Sequence, residues 1–190
     1  MRGLVFRGVT AAAVLLFAGM ISAEAARSRS NGQPKGASTK EIVSIDGDYV
    51  RGTIIIKSSE RKLYYTLGEG KAIRYSIAVG KPKFLWSGDL WISSKQRNPS
   101  WRPTARMRRE NPRLPKVVGP GPHNPLGMRA MYLGWSEYRI HGTNAPGSIG
   151  SSTSSGCFRM HNADAIDLFD RVHIGAPVQV LRLWEVLGLG

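Results

Sequence analysis

The stretch TIIIKSSERKLYYTL, residues 53–67, contains two apolar runs separated by a polar segment. Three isoleucines lie in its first half, and two leucines and two tyrosines lie in its second half. β-branched and aromatic residues of this kind pack well on a pleated surface, and the polar residues 58–61 are typical of a connecting turn. The stretch therefore predicts a β-hairpin with arms at residues 53–57 and 62–67.

The residues that follow extend the β pattern. Every second residue from Ile73 to Val79 is large and apolar, and small or polar residues lie between them. Such alternation is typical of a half-buried strand, here over residues 72–80. Three later strands are predicted at residues 130–133, 138–141 and 177–182.

One segment is predicted to be helical. Asn162 can cap a helix over residues 163–172, and Asp164 would lie favourably in its first turn. Ile166, Phe169 and Val172 would form a narrow apolar stripe on this helix. Short strands with one short helix after Cys157 predict a mainly β domain, a β-sandwich or a barrel-like fold.

The N-terminal segment has the pattern of a secretory signal peptide. Arg2 and Arg7 are followed by the apolar run GVTAAAVLLFAGMI and then by an Ala-x-Ala site at residues 23–25. The run is shorter than the ~20 apolar residues that span a bilayer. We therefore expect cleavage after Ala25 and a periplasmic protein associated with the cell envelope.

Composition divides the rest of the chain. Residues 26–48 are rich in Ser, Gly, Lys and Arg without apolar periodicity, which predicts a basic flexible linker. Residues 49–184 have the length of one ordinary domain, and residues 185–190 are predicted to be a C-terminal tail. A domain of this size can bury a core without disulfide bonds.

The chain is strongly basic, with 27 Lys and Arg against 13 Asp and Glu and a net charge of +14. Nucleic acid is not the expected partner of an exported protein, and anionic envelope polymers or membrane surfaces are favoured. The densest basic stretch, residues 97–116, contains four prolines, which exclude a continuous helix. We interpret it as a solvated irregular loop beside the active face, with contact to an anionic glycan as the alternative.

Cys157 is the only cysteine, so no intramolecular disulfide can form. It lies sixteen residues after His141 in the segment HGTNAPGSIGSSTSSGCFRM, residues 141–160. The residues between His141 and Cys157 are rich in glycine and serine. An imidazole can accept the thiol proton and prepare a thiolate for acyl transfer. Gly156 permits close backbone approach, so that N–H groups can point at an oxyanion. The alternative, a small buried apolar residue, is disfavoured by the polar neighbours.

Other site chemistries have little support in the sequence. The four histidines show no short metal-ligand spacing, and neither a Gly-x-Ser-x-Gly elbow nor a glycine-rich phosphate loop is present. We expect no metal and no cofactor.

The segments around His141 and Cys157 resemble the signature of the L,D-transpeptidases, the YkuD-type catalytic domain of bacterial cell-wall enzymes. IHGTNAPGSIG and SSGCFRM carry the likeness, and GPHNPLG at residues 121–127 and RAMYL at residues 129–133 also resemble family segments. The likeness covers most of residues 52–182. Ser155 departs from the family pattern, because many members have histidine there.

The resemblance implies a role for each matching residue. Cys157 would be the nucleophile that attacks the L,D-bond of a peptidoglycan stem tetrapeptide and releases D-alanine. His141 would be the base, oriented by the backbone carbonyl of Gly142. Gly156 and Cys157 would supply the N–H groups of the oxyanion hole.

Five further residues in or next to these motifs are assigned to substrate binding or loop support. They are Arg159, Ser154, Ser155, Thr143 and Asn144. Arg159 would bind a donor carboxylate or order the catalytic loop.

Outside these motifs, four side chains receive non-catalytic interpretations. His161 is expected to have a surface or helix-capping role. Core packing is expected for Trp86, Trp91 and Trp101, with stacking on a glycan as the alternative.

The implied partners are peptidoglycan stem peptides and carbapenem-type inhibitors. The acceptor could be a second stem peptide, giving a 3–3 cross-link, or an outer-membrane protein or lipoprotein that becomes attached to peptidoglycan. Two other hypotheses stay open: an L,D-carboxypeptidase or endopeptidase that uses the same site, and a non-catalytic wall-binding module held by charge.

Overall fold

The computed structural model describes residues 36–181. The predicted signal peptide, residues 26–35 of the predicted linker and the predicted C-terminal tail lie outside these residues. The strands of the described part are β1 (Glu41–Ser44), β2 (Ile54–Lys57), β3 (Lys62–Gly68), β4 (Lys71–Ser76), β5 (Val79–Gly80), β6 (Gly88–Arg97), β7 (Arg129–Leu133), β8 (Arg139–His141), β9 (Ser152–Ser154), β10 (Phe158–Arg159) and β11 (Pro177–Leu181). Its α-helices are α1 (Ala105–Glu110) and α2 (Asn162–Arg171).

Nine of the described strands form one continuous sheet in the order β1-β4-β3-β2-β11-β6-β7-β8-β10. β6 joins two half-sheets, because residues 88–91 pair with β11 and residues 92–97 pair with β7. Buried side chains of both halves, such as Tyr75 and Met131, belong to the same core. The predicted mainly β, sandwich-like fold is confirmed.

The hairpin at residues 53–67 forms the centre of the first half-sheet. β2 pairs antiparallel with β3 and parallel with β11, so it has strands on both sides. Ile54 and Ile56 enter the main core, whereas Ile55 joins Tyr64 and Ala72 in a smaller cluster on the opposite face. A strand covered on both faces reads as a continuous apolar run, which explains the three consecutive isoleucines.

The linker prediction is wrong for its second half. β1 pairs antiparallel with β4, and Ile45 is buried. Just before β1, the backbone N–H and the hydroxyl of Thr39 donate to the carboxylate of Asp164, which is fully buried in α2. An edge strand this short shows no apolar period, and its order depends on partners in β4 that are 27 to 33 residues away in sequence.

The predicted strand at residues 72–80 is interrupted. β4 ends at Ser76, and the chain then crosses to the second half of the fold, where β5 pairs in parallel with β9. The backbone of Ala78 exchanges hydrogen bonds with Arg159 at 2.9 and 3.0 Å. The alternation of apolar residues continues through the crossing, because both segments face the same core.

Several elements were not predicted from the sequence, among them β6, α1 and the short strands β1, β9 and β10. β6 mixes polar and apolar residues, because it changes its pairing partner along its length. α1 lies inside the stretch interpreted as an irregular loop, and the hydroxyl of Thr104 caps it by accepting from Met107 N at 3.2 Å. Prolines on both sides restrict α1 to less than two turns.

The predicted helix is present as α2, but its cap is different. Residue 161 occupies the N-cap position without a side-chain cap, and Asn162 is already helical. Ala165, Leu168 and Phe169 bury the inner face of α2 against β7 and β8. Of the predicted stripe, Phe169 and Val172 are buried and Ile166 is only half-buried. Among residues 36–181, no helix has the length and apolar character to cross a membrane.

Candidate active site

Parallel pairing of β8 with β10 brings His141 and Cys157 to one face. Ile140 is opposite Phe158 and His141 is opposite Arg159 in this pair. Because side chains alternate along a strand, Ile140 and Phe158 enter the core, and the residues on either side of them face the other way. Arg139, His141, Cys157 and Arg159 all line one cavity of about 380 Å³.

His141 is held by the carbonyl group of the next residue. Its Nδ1 lies 2.6 Å from Gly142 O, and the side chain is buried. A carbonyl oxygen can only accept, so Nδ1 donates and Nε2 is left free to accept a proton. Burial lowers the pKa of His141 to about 3, although the Gly142 contact opposes this shift. The imidazole is therefore neutral at rest.

The thiol of Cys157 lies against the start of β8. Its Sγ donates to Glu137 O at 4.0 Å. Burial raises the pKa of Cys157, and the positive charges of Arg139 and Arg159 oppose this shift. The cavity at rest therefore contains a neutral thiol and a neutral imidazole, rather than an ion pair.

The turn before Cys157 is fixed by Ser154. Its buried hydroxyl donates to Cys157 O at 2.5 Å and accepts from Gly156 N at 3.1 Å. Gly156 has φ +113°, and a Cβ there would lie 2.6 Å from the Tyr138 ring, so only glycine fits. Because the Gly156 N–H is already bonded to Ser154, the structure does not direct it at an oxyanion. The Cys157 N–H remains the candidate donor of the two that the sequence predicted.

The other predicted residues divide between the cavity and the loop that follows His141. Arg159 and Ser155 line the cavity. Thr143 is buried, and its hydroxyl accepts from Ala145 N at 3.0 Å. Asn144 donates from Nδ2 to His123 O at 3.0 Å. These last two side chains hold the shape of the loop and lie outside the cavity lining.

One wall of the cavity comes from the basic stretch at residues 97–116. Arg102 and Arg106 line it together with Trp101. The guanidinium of Arg106 lies 4.1 Å above the Phe84 ring and donates to Ser155 O at 3.1 Å. The stretch is thus not merely solvated, and long-range contacts of this kind leave no local signal in the sequence.

Asn162 is a site residue that sequence reasoning assigned to a helix cap. Its Oδ1 accepts from Met128 N at 3.2 Å and from Thr143 N at 3.1 Å, and its Nδ2 donates to Thr143 O at 2.9 Å. A Cβ at either Gly127 or Gly142 would lie 2.1 Å from this Oδ1. Asn162 therefore fixes the backbone of Thr143, the residue directly after the Gly142 carbonyl that orients His141.

Two of the remaining predicted side chains lie close to the site. Trp86 packs against the core, stacks on Tyr138 at 4.6 Å and donates to Gly156 O at 2.9 Å. Among the described residues, the buried Nδ1 of His161 has no hydrogen-bond partner. His161 occupies the N-cap position of α2, but its side chain does not cap the helix. No group of three His, Cys, Asp or Glu in residues 36–181 is arranged to hold a metal ion.

Comparison with known proteins gives a consistent family. The model of the L,D-transpeptidase catalytic domain family (YkuD) matches residues 51–180. The probable L,D-transpeptidase YbiS of Escherichia coli is 38% identical over 159 residues, which cover 78% of this chain and 51% of YbiS. A putative L,D-transpeptidase of Fuscovulum blasticum is 42% identical over 131 residues, covering 67% of this chain and 68% of that protein. The chain spans about half the length of curated relatives such as YbiS.

Solved structures show the same fold. An L,D-transpeptidase from Mycobacterium smegmatis superposes with a TM-score of 0.56 at 20% identity, covering 69% of this chain and 58% of that chain. L,D-transpeptidase 3 from Mycobacterium tuberculosis, solved with a faropenem-derived adduct, gives a TM-score of 0.50 at 17% identity over 67% and 59% of the two chains. At these identities the likeness concerns the fold alone.

The protonation states predict how Cys157 reacts with alkylating agents. Because its pKa is raised, the rate of carboxamidomethylation by iodoacetamide should keep rising with pH beyond the range of an ordinary thiol, near 8.5. The measurement is the pH profile of mass labelling on the folded protein, with Cys157→Ala as the unlabelled control. A rate plateau between pH 5 and 7 would instead reveal a thiolate–imidazolium pair and contradict this assignment.

The contacts of Asn162 predict a graded loss of activity. Asn162→Ala removes all three hydrogen bonds and should destabilise the fold by about 1–3 kcal/mol, with a fall in the reactivity of Cys157. Asn162→Asp keeps the acceptor and loses the bond to Thr143 O, so its effects should be smaller. Urea unfolding and acylation rates measure the two effects, and Asp170→Asn, at an exposed position of the same helix, is the control. Full acylation activity of Asn162→Ala would contradict the positioning role.

Proposed function

The chain belongs to the YkuD family of L,D-transpeptidase catalytic domains, and on this premise we propose that it is a peptidoglycan L,D-transpeptidase acylated at Cys157. The observation that supports the proposal most directly is the placement of His141 and Cys157 in one cavity. The hydrogen bond from His141 Nδ1 to Gly142 O leaves Nε2 available for proton transfer with the thiol.

In the proposed first half-reaction, Nε2 of His141 takes the proton of Cys157 Sγ. The sulfur attacks the carbonyl carbon of the third, diaminopimelate-type residue of a stem tetrapeptide. The C–N bond to the terminal D-alanine then breaks, and the imidazolium returns the proton to the leaving amine. The product is a thioester on Cys157 and free D-alanine.

In the second half-reaction, an acceptor amine attacks the thioester. His141 takes a proton from this amine, the C–S bond breaks, and the thiol of Cys157 is restored. The carbonyl group of Gly142 performs the orienting role that a carboxylate has in a Ser-His-Asp triad. The Cys157 N–H is the candidate donor to the oxyanion of both tetrahedral intermediates.

The charge of the cavity supports an anionic peptide donor. Arg102, Arg106, Arg139 and Arg159 line it with a single acid, Glu137. Among residues 36–181, none of the four guanidinium groups forms a salt bridge. A stem tetrapeptide carries several free carboxylates, and arginine pairs with carboxylates through short charge-assisted hydrogen bonds. This match does not require a metal ion or a nucleotide.

The acceptor defines the finer activity. A second stem peptide would give a 3–3 cross-link, and an amine on an outer-membrane protein or lipoprotein would give attachment to peptidoglycan. Water would give an L,D-carboxypeptidase or endopeptidase. We place the reaction in the periplasm, because peptidoglycan stems are there and the first 25 residues have the composition of a signal peptide.

The proposal predicts cysteine-dependent turnover of purified tetrapeptide muropeptides. Cys157→Ala should abolish release of D-alanine without loss of folding, because no disulfide is removed. His141→Ala should lower acylation by roughly 10²-fold or more, because the thiol loses its base. Mass spectrometry of the products is the measurement, and His173→Ala, an exposed histidine, is the control with wild-type activity.

The products also separate the alternatives. Loss of D-alanine with dimer formation establishes transpeptidation. Loss of D-alanine with monomers alone indicates hydrolysis or a protein acceptor absent from the assay. No change in any muropeptide by the folded wild-type protein would contradict the proposal and favour a wall-binding module.

A second prediction concerns β-lactams of the carbapenem type. The strained lactam carbonyl replaces the scissile amide, and ring opening leaves the whole inhibitor on the sulfur. Support comes from the faropenem-derived adduct of L,D-transpeptidase 3 from Mycobacterium tuberculosis, which shares the fold. The intact wild-type protein should gain the full mass of the carbapenem and Cys157→Ala none. Equal labelling of both proteins would show that Cys157 is not the acylated residue.

A further inference from the structure

A pair of solvent-exposed tryptophans lies at the turn between β7 and β8. Trp135 is 93% exposed, and Trp91 of β6 is 38% exposed. Their rings meet edge to face, with centroids 6.0 Å apart and an interplanar angle of 83°. A large aromatic side chain this exposed does not contribute to the core, so the pair requires another explanation.

The tryptophan pair is held by an ordered turn. Gly134 N donates to Trp91 O at 2.8 Å, and the hydroxyl of Ser136 donates to Leu133 O at 2.6 Å. A Cβ at Gly134 would lie 3.0 Å from Leu90 Cδ2, so the turn packs closely on β6 next to Trp91. The two rings are therefore presented in a defined arrangement before any ligand arrives.

The same turn leads directly into the active site. Trp135 precedes Glu137 by two residues, and Glu137 O is 4.0 Å from Cys157 Sγ. Two residues span at most ~7 Å, and a further ~2.4 Å separates the Glu137 Cα from its carbonyl oxygen, which places the Cα of Trp135 within roughly 14 Å of the sulfur. In the donor, two amino acids separate the reacting residue from the sugar that carries the stem, a span of similar length. The sugar would thus reach the tryptophan pair while the stem is bound at Cys157.

The size of the pair favours a sugar over a protein. Two tryptophans can bury about 150–250 Å² each, well below the ~800 Å² per partner of a stable protein interface. The flat apolar face of one sugar ring matches one indole, and its hydroxyl groups can stay in water. The polar neighbours Ser136 and Glu137 suit such a rim.

We propose that Trp91 and Trp135 form a stacking platform for the glycan strand whose stem peptide is acylated at Cys157. This inference rests on the proposed function and adds to it the glycan-linked donor as the preferred substrate. The sugar contact is remote from the reacting carbonyl and is the same before and during acylation. It therefore lowers KM for a glycan-linked donor and leaves kcat unchanged.

The kinetic test compares two donors, a disaccharide-linked tetrapeptide and the same tetrapeptide without sugar. Trp135→Ala should raise KM for the disaccharide-linked donor by about 3- to 10-fold, as expected for loss of one aromatic contact, with no change for the free tetrapeptide. Trp135→Phe should retain most of the effect. Ile42→Ala, which removes another exposed apolar side chain from β1 at the far edge of the sheet, is the control.

A binding test needs no turnover. Peptide-free glycan chains should quench the tryptophan fluorescence of Cys157→Ala, and this quenching should be lost in the double variant Cys157→Ala/Trp135→Ala. Equal KM values for the two donors in the wild type, with no quenching by glycan, would overturn the platform. Turnover of neither donor would contradict the proposed function instead, and the fluorescence titration would then decide on the platform alone.

Discussion

The parallel pairing of β8 with β10 is the constraint on which the site depends. Placing Arg159 opposite His141 puts Cys157 and His141 on the same face of a short two-strand ladder. A slip of one residue would turn both Cys157 and Arg159 into the core and expose Phe158. The buried packing of Ile140 and Phe158 fixes the register, so the core of the fold determines the geometry of the chemistry.

The electrostatics of the cavity oppose charge separation before substrate arrives. Burial and two nearby arginines hold the pKa of His141 at about 3, and burial raises the pKa of Cys157. As the pH falls from the ordinary histidine value toward 3, the unfolded chain binds a proton that the folded chain excludes, so stability is lost in acid. Burial imposes most of this cost, and the two arginines that add to it, Arg139 and Arg159, are also suited to the carboxylates of the proposed stem peptide.

Sequence reasoning succeeded where the signal is local. The hairpin at residues 53–67 and the helix after Cys157 follow from residue type and period, and the Cys157–His141 pair follows from the resemblance of its motifs. It failed where position depends on distant contacts. β1 is held by β4 and Asp164, and Arg106 reaches the site only because α1 packs on Phe84. Asn162 is a residue type that favours helix caps, yet its side-chain amide hydrogen-bonds to the backbone of Thr143 in the loop after His141.

Close backbone contacts explain why three glycines of the site cannot be replaced by larger residues. Gly156 lies against Tyr138, and Gly127 and Gly142 both lie against the amide of Asn162. Each approach is shorter than any side chain permits, so the backbone itself forms the walls around Cys157 and His141. A site built from backbone in this way is rigid, and it leaves its four arginines among the side chains that line the cavity. For the peptidoglycan substrate that we propose, rigid backbone near the chemistry would fix the reacting atoms, and side chains farther from the cleaved bond would contribute binding energy.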